Sequence, residues 1–223
     1  MRFLFYCLLT FCLLYPSLLK AENINKIKGY TQENQQQILK DFKAFLAIPN
    51  ISAVPEDMQK NADWITAYIA KRGFSSEVVT AGRAPYILAE KNVPGAAKTI
   101  LIYAHFDGQP VEPSNWATPP FMPTLIDKPI ELGGKPVEWD GQSALNPEWR
   151  LAARSAGDDK GPVIALMAAL DAMDALGIAS TVNIKLILDG EEEEVGSPTL
   201  EAILQAHGSK MAADIMLFCD GPR

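Results

Sequence analysis

The sequence is most informative at Leu101-Ile102-Tyr103-Ala104-His105-Phe106-Asp107-Gly108, which joins a strand pattern to two chemically active side chains. Residues 99–104 are β-branched or apolar, which predicts a buried strand. In a parallel sheet, functional groups gather at the carboxyl ends of strands, where connecting loops open a crevice. Side chains two apart on a strand share a face, so we expect His105 and Asp107 to point the same way. Proteins use an imidazole beside a carboxylate to hold and tune a metal ion.

The composition is typical of a globular protein with an acidic balance. The 223 residues include 48% hydrophobic and 21% charged residues, and the formal net charge is −7. This length suffices for one substantial domain and at most a small second one. No run of Lys or Arg stands out, which argues against nucleic acid and against an anionic membrane surface as partners. The excess of carboxylates suits the binding of a cation.

Residues 1–21 have the pattern of a secretory signal peptide. Met1-Arg2 precedes an almost wholly apolar run from Phe3 to Leu14, and a possible cleavage site follows Ala21. The alternative is an uncleaved membrane anchor, but the run is short for a span, which needs roughly 20 residues. We therefore expect residues 1–21 to be removed. The mature protein would be secreted or periplasmic, with no membrane association after cleavage.

The rest of the chain alternates between helical and strand patterns. The spacing of apolar residues predicts helices over residues 33–47, 57–72, 161–176 and 198–205. Strands are predicted over residues 74–80, 86–90, 99–104, 181–188 and 214–219. Strands that alternate with helices favour an α/β fold, a mostly parallel sheet flanked by helices. The long segment between residues 108 and 150 is rich in proline and tryptophan, which favours a functional segment over a plain linker.

Polar groups stand at strand ends or at a helix start in four places. The four are His105 with Asp107, Asp158-Asp159-Lys160-Gly161, the run from Asp189 to Glu194, and Asp220. Each also has a structural interpretation: a satisfied histidine, a helix cap, a solvated acidic face or a turn residue. Their coincidence at the same end of consecutive predicted strands favours one shared crevice. Imidazole and carboxylates suit zinc or another borderline divalent ion, and two such ions that share a carboxylate form a hydrolytic site.

Taken in order, these segments resemble the motifs of the di-zinc exopeptidases of the M20 peptidase family, which includes dipeptidases, aminoacylase and related deacylases. The matching residues are His105-Phe106-Asp107, Asp158-Asp159-Lys160-Gly161, Glu193-Glu194-Val195-Gly196-Ser197 and Asp220. The resemblance implies a zinc-exopeptidase-like catalytic domain. The chain stops just after a predicted strand, so residues 22–223 would be a truncated, N-terminal portion of that domain, without its dimerisation domain.

The resemblance also implies a set of metal ligands. His105 and Asp220 would bind one ion, and Asp158 would bridge it to a second. Glu194 would bind the second ion. The expected cofactors are two Zn²⁺ ions, with Co²⁺ or Mn²⁺ as possible replacements.

Two further residues are implied to act in catalysis. Asp107 would hold the imidazole of His105 from behind, and Glu193 would be the general base that takes a proton from the bridging water. Four adjacent glutamates allow more than one alignment. The spacing to Val195-Gly196-Ser197 selects Glu193 and Glu194, and the two earlier glutamates would then be bystanders.

The chain departs from the family pattern in two respects. Residues 154–157 read Arg-Ser-Ala-Gly where Arg-Gly is commoner, which affects a loop rather than a ligand. The family closes its second metal site with a histidine far downstream, and this chain has only two histidines. The second, His207, stands at a predicted helix end and does not match that position.

The function expected from these features is metal-dependent hydrolysis of a peptide or amide bond. The substrate would be a peptide or an N-acyl amino acid, and the full-length protein would be a homodimer. The alternative is an inactive metal-binding fragment or scaffold that lacks the second-site histidine. A phosphate-binding α/β protein ranks last, because no Gly-rich phosphate loop follows a strand.

Overall fold

The structure is a computed structural model that describes residues 22–139, 141 and 143–220. The expected signal peptide, residues 1–21, lies outside the described residues. Within the described part of the chain, no helix combines the length and the apolar character needed to cross a membrane.

Helices and strands alternate along the chain. Residues 22–33 are helical, and the helices that follow are α1 (Gln35–Leu46), α2 (Pro55–Ala70), α3 (Lys160–Ala175), α4 (Glu192–Val195) and α5 (Leu200–Met211). The strands are β1 (Ser75–Val79), β2 (Tyr86–Lys91), β3 (Thr99–His105), β4 (Thr124–Ile126), β5 (Arg150–Ala152), β6 (Asn183–Asp189) and β7 (Ile215–Phe218). Apart from the end of α5, every predicted boundary lies within two residues of an observed one.

Five strands form the central sheet, in the order β1-β2-β6-β3-β7. Strand β3 pairs in parallel with β6 and with β7, whereas β2 is antiparallel to both β6 and β1. The α/β fold with a mostly parallel sheet and flanking helices is confirmed. Four of the five strands run in the same direction and β2 alone runs against them, so the sheet is mixed and differs from a purely parallel one. The short connection over residues 80–85 accounts for part of this difference, because a connection of that length joins β1 and β2 only as an antiparallel hairpin.

Helices cover both faces of the sheet over its central strands, whereas the residues of the edge strand β7 are exposed. One face packs against α1, α2 and α3, with Phe45, Ile65 and Met167 fully buried. The other face packs against α5 through Ile203 and Met211. Because β3 and β6 are covered on both sides, successive residues of these strands enter opposite cores, which explains their continuous apolar sequence.

The parallel pairing brings the functional strand ends to one edge of the sheet. His105 ends β3 and lies in register with Asp189, which ends β6. Asp220 follows β7, which pairs with the other side of β3. Asp158 and Asp159 lie directly before α3, which packs against β3. The fold therefore places the predicted motifs around a single crevice.

The central strand β6 should carry much of the stability of the fold. Leu186 is 1% exposed, and Leu186→Ala is expected to lower the free energy of unfolding by about 2–5 kcal/mol, since it leaves a cavity between two covered faces. Leu132, which is 67% exposed, offers the matched control, and Leu132→Ala should change it by less than about 0.5 kcal/mol. Urea unfolding followed by circular dichroism measures both. Equal effects of the two substitutions would contradict this packing.

Candidate active site

The imidazole of His105 lies fully buried between two carboxylates. Its Nδ1 atom lies 3.2 Å from Oδ1 of Asp107, and its Nε2 atom lies 2.9 Å from Oδ1 of Asp158. Burial lowers the pKa of His105, but the hydrogen bond and charge of Asp107, together with the charge of Asp159, raise it to about 9. One ring nitrogen is therefore held by Asp107, and the other faces an acidic cluster that consists of Asp158, Glu192, Glu193 and Asp220.

Asp107 is fully buried and contacts both the histidine and the glutamate turn, which consists of residues 191–196 after β6. Its Oδ1 accepts a hydrogen bond from the backbone N–H of Glu192, and its Oδ2 accepts one from the N–H of Glu193, both at 3.1 Å. A carboxylate at this place satisfies N–H groups that a helix start leaves free. The end of β3 and the start of α4 are thus joined through one side chain.

The loop before α3 supplies two acidic residues with different surroundings. The side chain of Asp158 is 39% exposed and faces His105, whereas Asp159 is buried and accepts a hydrogen bond from the backbone N–H of His105 at 3.0 Å. Burial raises the pKa of Asp159 to about 7, against the opposing effect of its hydrogen bond and of the His105 charge. Asp158 is the more accessible of the two to an incoming cation.

Carboxylate and imidazole atoms gather closely enough to share a metal ion. Single ligand atoms of His105, Glu192 and Asp220 lie within 4.8 Å of one another, and so do those of His105, Asp158 and Glu193. The two sets share the histidine. One nitrogen and several oxygen donors at this separation fit a borderline divalent cation such as zinc.

The turn after β6 is a single helical turn that ends in a left-handed glycine. Helix α4 spans four residues, and Gly196 follows it with a φ of 67°, a conformation that glycine adopts without steric cost. Its backbone N–H donates to the carbonyl of Glu192 at 2.7 Å. Burial, as the largest effect, raises the pKa of Glu192, with Asp220, Asp107 and Glu193 adding to it against the charge of His105.

Glu191 has a structural environment behind the turn. It is 1% exposed and accepts hydrogen bonds from the Tyr86 hydroxyl at 3.0 Å, from the Thr199 backbone N–H at 3.0 Å and from the Thr199 hydroxyl. These contacts direct its carboxylate away from the acidic cluster. Glu191 was expected to be a bystander to the chemistry, and this position agrees with that expectation.

Most of the site residues predicted from the sequence lie together. His105, Asp107, Asp158, Glu193 and Asp220 surround the same crevice. The structure does not bring Glu194 into the metal-ligating groups found among the described residues. Its Oε2 instead accepts hydrogen bonds from Ser52 and Ala53 and lies 3.2 Å from Arg83.

Sequence reasoning missed two residues that face the cluster. Glu192 was expected to be a bystander, but its Oε2 lies 3.9 Å from Nε2 of His105. Gln109 donates hydrogen bonds from Nε2 to the carbonyl of Glu193 and, at 3.1 Å, to its Oε2. The run of four glutamates was a signal for the first, because it left the register open. No pattern in the sequence pointed to the second.

His207 lies apart from this site. It is part of α5 and lies near Glu77 of β1. It does not belong to the groups of potential metal ligands in the described ranges. The site as described therefore contains one imidazole.

The chain matches a known family over most of the site-bearing region. Residues 101–223 match the family described as Peptidase family M20/M25/M40. The Cys-Gly metallodipeptidase dug1 of Schizosaccharomyces pombe is 26% identical over 211 residues, which are 88% of this chain and 40% of that protein. The family match over residues 101–223 includes more than half of the chain, so the protein belongs to Peptidase family M20/M25/M40.

Several solved structures resemble this fold, including the following two. The structure of human carnosine dipeptidase 1 superimposes with a TM-score of 0.71 and 25% identity, over 89% of this chain and 41% of that one. An M20 family metallo-carboxypeptidase, Sso-CP2 from Sulfolobus solfataricus, gives a TM-score of 0.65 and 31% identity, over 82% of this chain and 37% of that one. The chain spans about two fifths of the length of these relatives.

Asp107 should determine how well the site binds a metal ion. In Asp107→Asn the amide offers one acceptor oxygen, and its NH₂ group would face a backbone N–H or the imidazole. Because the histidine would then be held less well, the affinity for Co²⁺ should fall by about 10-fold to 100-fold. Titration followed by the visible absorption of Co²⁺ measures the change. Asp63→Asn, at an exposed position of α2, is the matched control. An affinity equal to that of the control would contradict the assigned role.

Proposed function

We propose that the protein is a metal-dependent peptidase that uses a bound divalent cation to hydrolyse a dipeptide. The observation that carries the proposal is the gathering of imidazole and carboxylate atoms within 4.8 Å at the carboxyl ends of three parallel strands. Membership of the M20 family supports peptide-bond hydrolysis. The names of its relatives, Cys-Gly metallodipeptidase and carnosine dipeptidase, support a dipeptide as substrate.

The chain offers a defined set of residues to hold the cation. His105 would contribute Nε2, while Asp158, Glu193 and Asp220 would contribute carboxylate oxygens. A bound divalent cation would lower the pKa of a water molecule and polarise the scissile carbonyl. Asp107 supports this role by holding the Nδ1 side of the imidazole, which directs Nε2 toward the carboxylates that would share the cation.

Glu192 is the general base in this proposal. Its carboxylate lies beside the cluster and is about one-third exposed, so it can contact both water and substrate. Its raised pKa brings it nearer to the working pH, which favours a group that accepts a proton and later returns it. The proton would pass from water to the Glu192 carboxylate and then to the leaving amine.

This assignment differs by one residue from the register that the sequence favours. The sequence spacing selects Glu193 as the base and Glu194 as a ligand. We propose Glu192 as the base and Glu193 as a ligand, because among the described residues both have a carboxylate oxygen within 4.8 Å of a His105 nitrogen in a group of potential ligands, whereas Glu194 belongs to no such group.

The identity and number of the cations are also proposals. A nitrogen donor with carboxylate oxygens favours zinc over magnesium or calcium. Asp158 is the candidate for a bridge to a second ion, and the second ion would bind more weakly, because His105 is the one imidazole at the described site. N-acyl amino acids are an alternative substrate class, and we expect the whole protein to be a homodimer.

Substitution of adjacent glutamates tests the reaction and the register together. In Glu192→Gln, kcat for Cys-Gly hydrolysis should fall by about 100-fold to 10,000-fold, because the general base is lost. Zinc affinity should change by less than about threefold, because no ligand is removed. In Glu193→Gln, zinc affinity itself should fall.

Steady-state kinetics and equilibrium dialysis with zinc measure these two effects. Glu201→Gln, at an exposed position of α5, serves as the control and should alter neither. Full activity of Glu192→Gln, combined with loss of activity but not of zinc in Glu193→Gln, would support the register that the sequence favours.

We propose that the protein is exported, on the basis of the charged start and apolar run within residues 1–21. Export with cleavage should leave a mature N-terminus at or close to Glu22. N-terminal sequencing of the protein from the native host tests this. A protein that retains Met1 would contradict it.

A further inference from the structure

We propose that Glu194 is a positioning residue, whose carboxylate fastens the turn carrying Glu192 and Glu193 to residues 52 and 53. The inference rests on the proposed function, because it concerns the geometry of the same site. Among the four glutamates at residues 191–194, Glu191 is enclosed behind the turn, Glu192 and Glu193 face the acidic cluster, and Glu194 does neither.

Several donors converge on a single oxygen of Glu194. Its Oε2 accepts hydrogen bonds from the Ser52 hydroxyl at 2.5 Å and from the Ala53 backbone N–H at 3.0 Å. The guanidinium of Arg83 lies 3.2 Å from the same oxygen and also donates to the Ser52 hydroxyl at 3.2 Å. The Glu194 side chain is 20% exposed, so these contacts hold it mostly out of solvent.

The turn that carries the glutamates needs such external support. Helix α4 has four residues, and an isolated helix of this length is unstable in water. Asp107 fixes its first N–H groups from one side. Glu193 and Glu194 are consecutive on this turn, so an anchor on Glu194 also limits the directions available to the side chain of Glu193.

The segment that receives Glu194, residues 50–53, is tied to the strand end of His105. The Asn50 amide donates to the carbonyl of Phe106 at 2.7 Å, and the N–H of Gly108 donates to the carbonyl of Asn50 at 2.8 Å. Ile51 forms a parallel bridge with Gly108. Asn50 and Ser52 are both fully buried, so this segment has a fixed position against β3.

The same segment is tied to the loop of Asp158. The Asn50 amide also donates to the hydroxyl of Ser155 at 2.9 Å. Ser155 has a φ of 61°, in the left-handed region that residues other than glycine rarely adopt. Its hydroxyl donates in turn to the carbonyl of Asp107 at 3.4 Å. These hydrogen bonds hold the first part of the loop that leads to Asp158.

Residues 50–53 therefore contact three of the four segments that supply the proposed ligands: the strand end of His105, the loop that leads to Asp158 and the turn that carries Glu193. Asn50 contacts the histidine strand end and the aspartate loop, and Ser52 contacts the glutamate turn through Glu194. Loss of the Glu194 contact would release Glu193 relative to His105. The ion pair itself contributes little, because Arg83 is 41% exposed, so the two hydrogen bonds from Ser52 and Ala53 are the important contacts.

Cobalt binding to the full chain tests this role without any need for activity. In Glu194→Ala, the affinity for Co²⁺ should fall by about tenfold or more, and the visible Co²⁺ spectrum should change, because Glu193 is less well placed. In Glu194→Gln the amide oxygen still accepts hydrogen bonds from Ser52 and Ala53. The affinity for Co²⁺ should therefore stay within about threefold of that of the unsubstituted protein, and the visible Co²⁺ spectrum should be unchanged. Glu201→Ala, at an exposed position of α5, is the matched control.

Three results would overturn the proposal. Equal Co²⁺ affinity in Glu194→Ala and Glu201→Ala would show that the contact has no effect on the site. A loss in Glu194→Gln as large as that in Glu193→Gln would make Glu194 a ligand rather than a positioning residue. No Co²⁺ binding by the unsubstituted chain would overturn the proposed function as well, whereas the first two results leave metal binding itself intact.

Ser52→Ala provides a second test that does not depend on the folding of Glu194→Ala. It removes one donor from Glu194 and changes the volume of a buried side chain only slightly. It should weaken Co²⁺ binding in the same direction as Glu194→Ala but by a smaller factor. Combined with Glu194→Ala, it should cause no further loss, since both substitutions remove the same contact. Fully additive losses would contradict the proposal.

Discussion

The buried carboxylate of Asp107 is the contact on which the geometry of the site depends. It faces the imidazole of His105 on one side. Each of its two oxygens also accepts a hydrogen bond from a backbone N–H of the glutamate turn. An apolar side chain at this place would leave both N–H groups without an acceptor, and an amide would leave one of them so, which is costly in a partly buried position. One residue therefore sets both the direction of the histidine and the position at which the glutamates begin.

Electrostatics explains why these groups tolerate one another in a partly buried crevice. Carboxylates at close range repel, and burial adds to the free-energy cost of their charge. The raised pKa values of Asp159 and Glu192 express this cost, and the raised pKa of His105 expresses the partial compensation by one imidazole. A divalent cation would neutralise more of the acidic charge, which is the physical reason to interpret this cluster as a metal site.

The sequence was informative where one local pattern determines the structure. The apolar run into His105 predicted a buried strand, and the polar residues at its end marked the crevice. The antiparallel pairing of β2 with β6 could not be predicted, since no local pattern encodes which strands become neighbours. The register of the glutamates was open for a similar reason: α4 begins where Asp107 accepts the N–H groups of Glu192 and Glu193, and this is a contact between distant parts of the chain.

Anomalous diffraction at the zinc edge, from crystals of the protein grown with zinc, tests the central claim most directly. We expect a peak at about 2.0–2.2 Å from Nε2 of His105 and from carboxylate oxygens of Asp158 or Asp220, with Glu193 directed toward the ions and Glu194 still hydrogen-bonded to Ser52. A peak coordinated by Glu194, or the absence of any peak at His105, would contradict it.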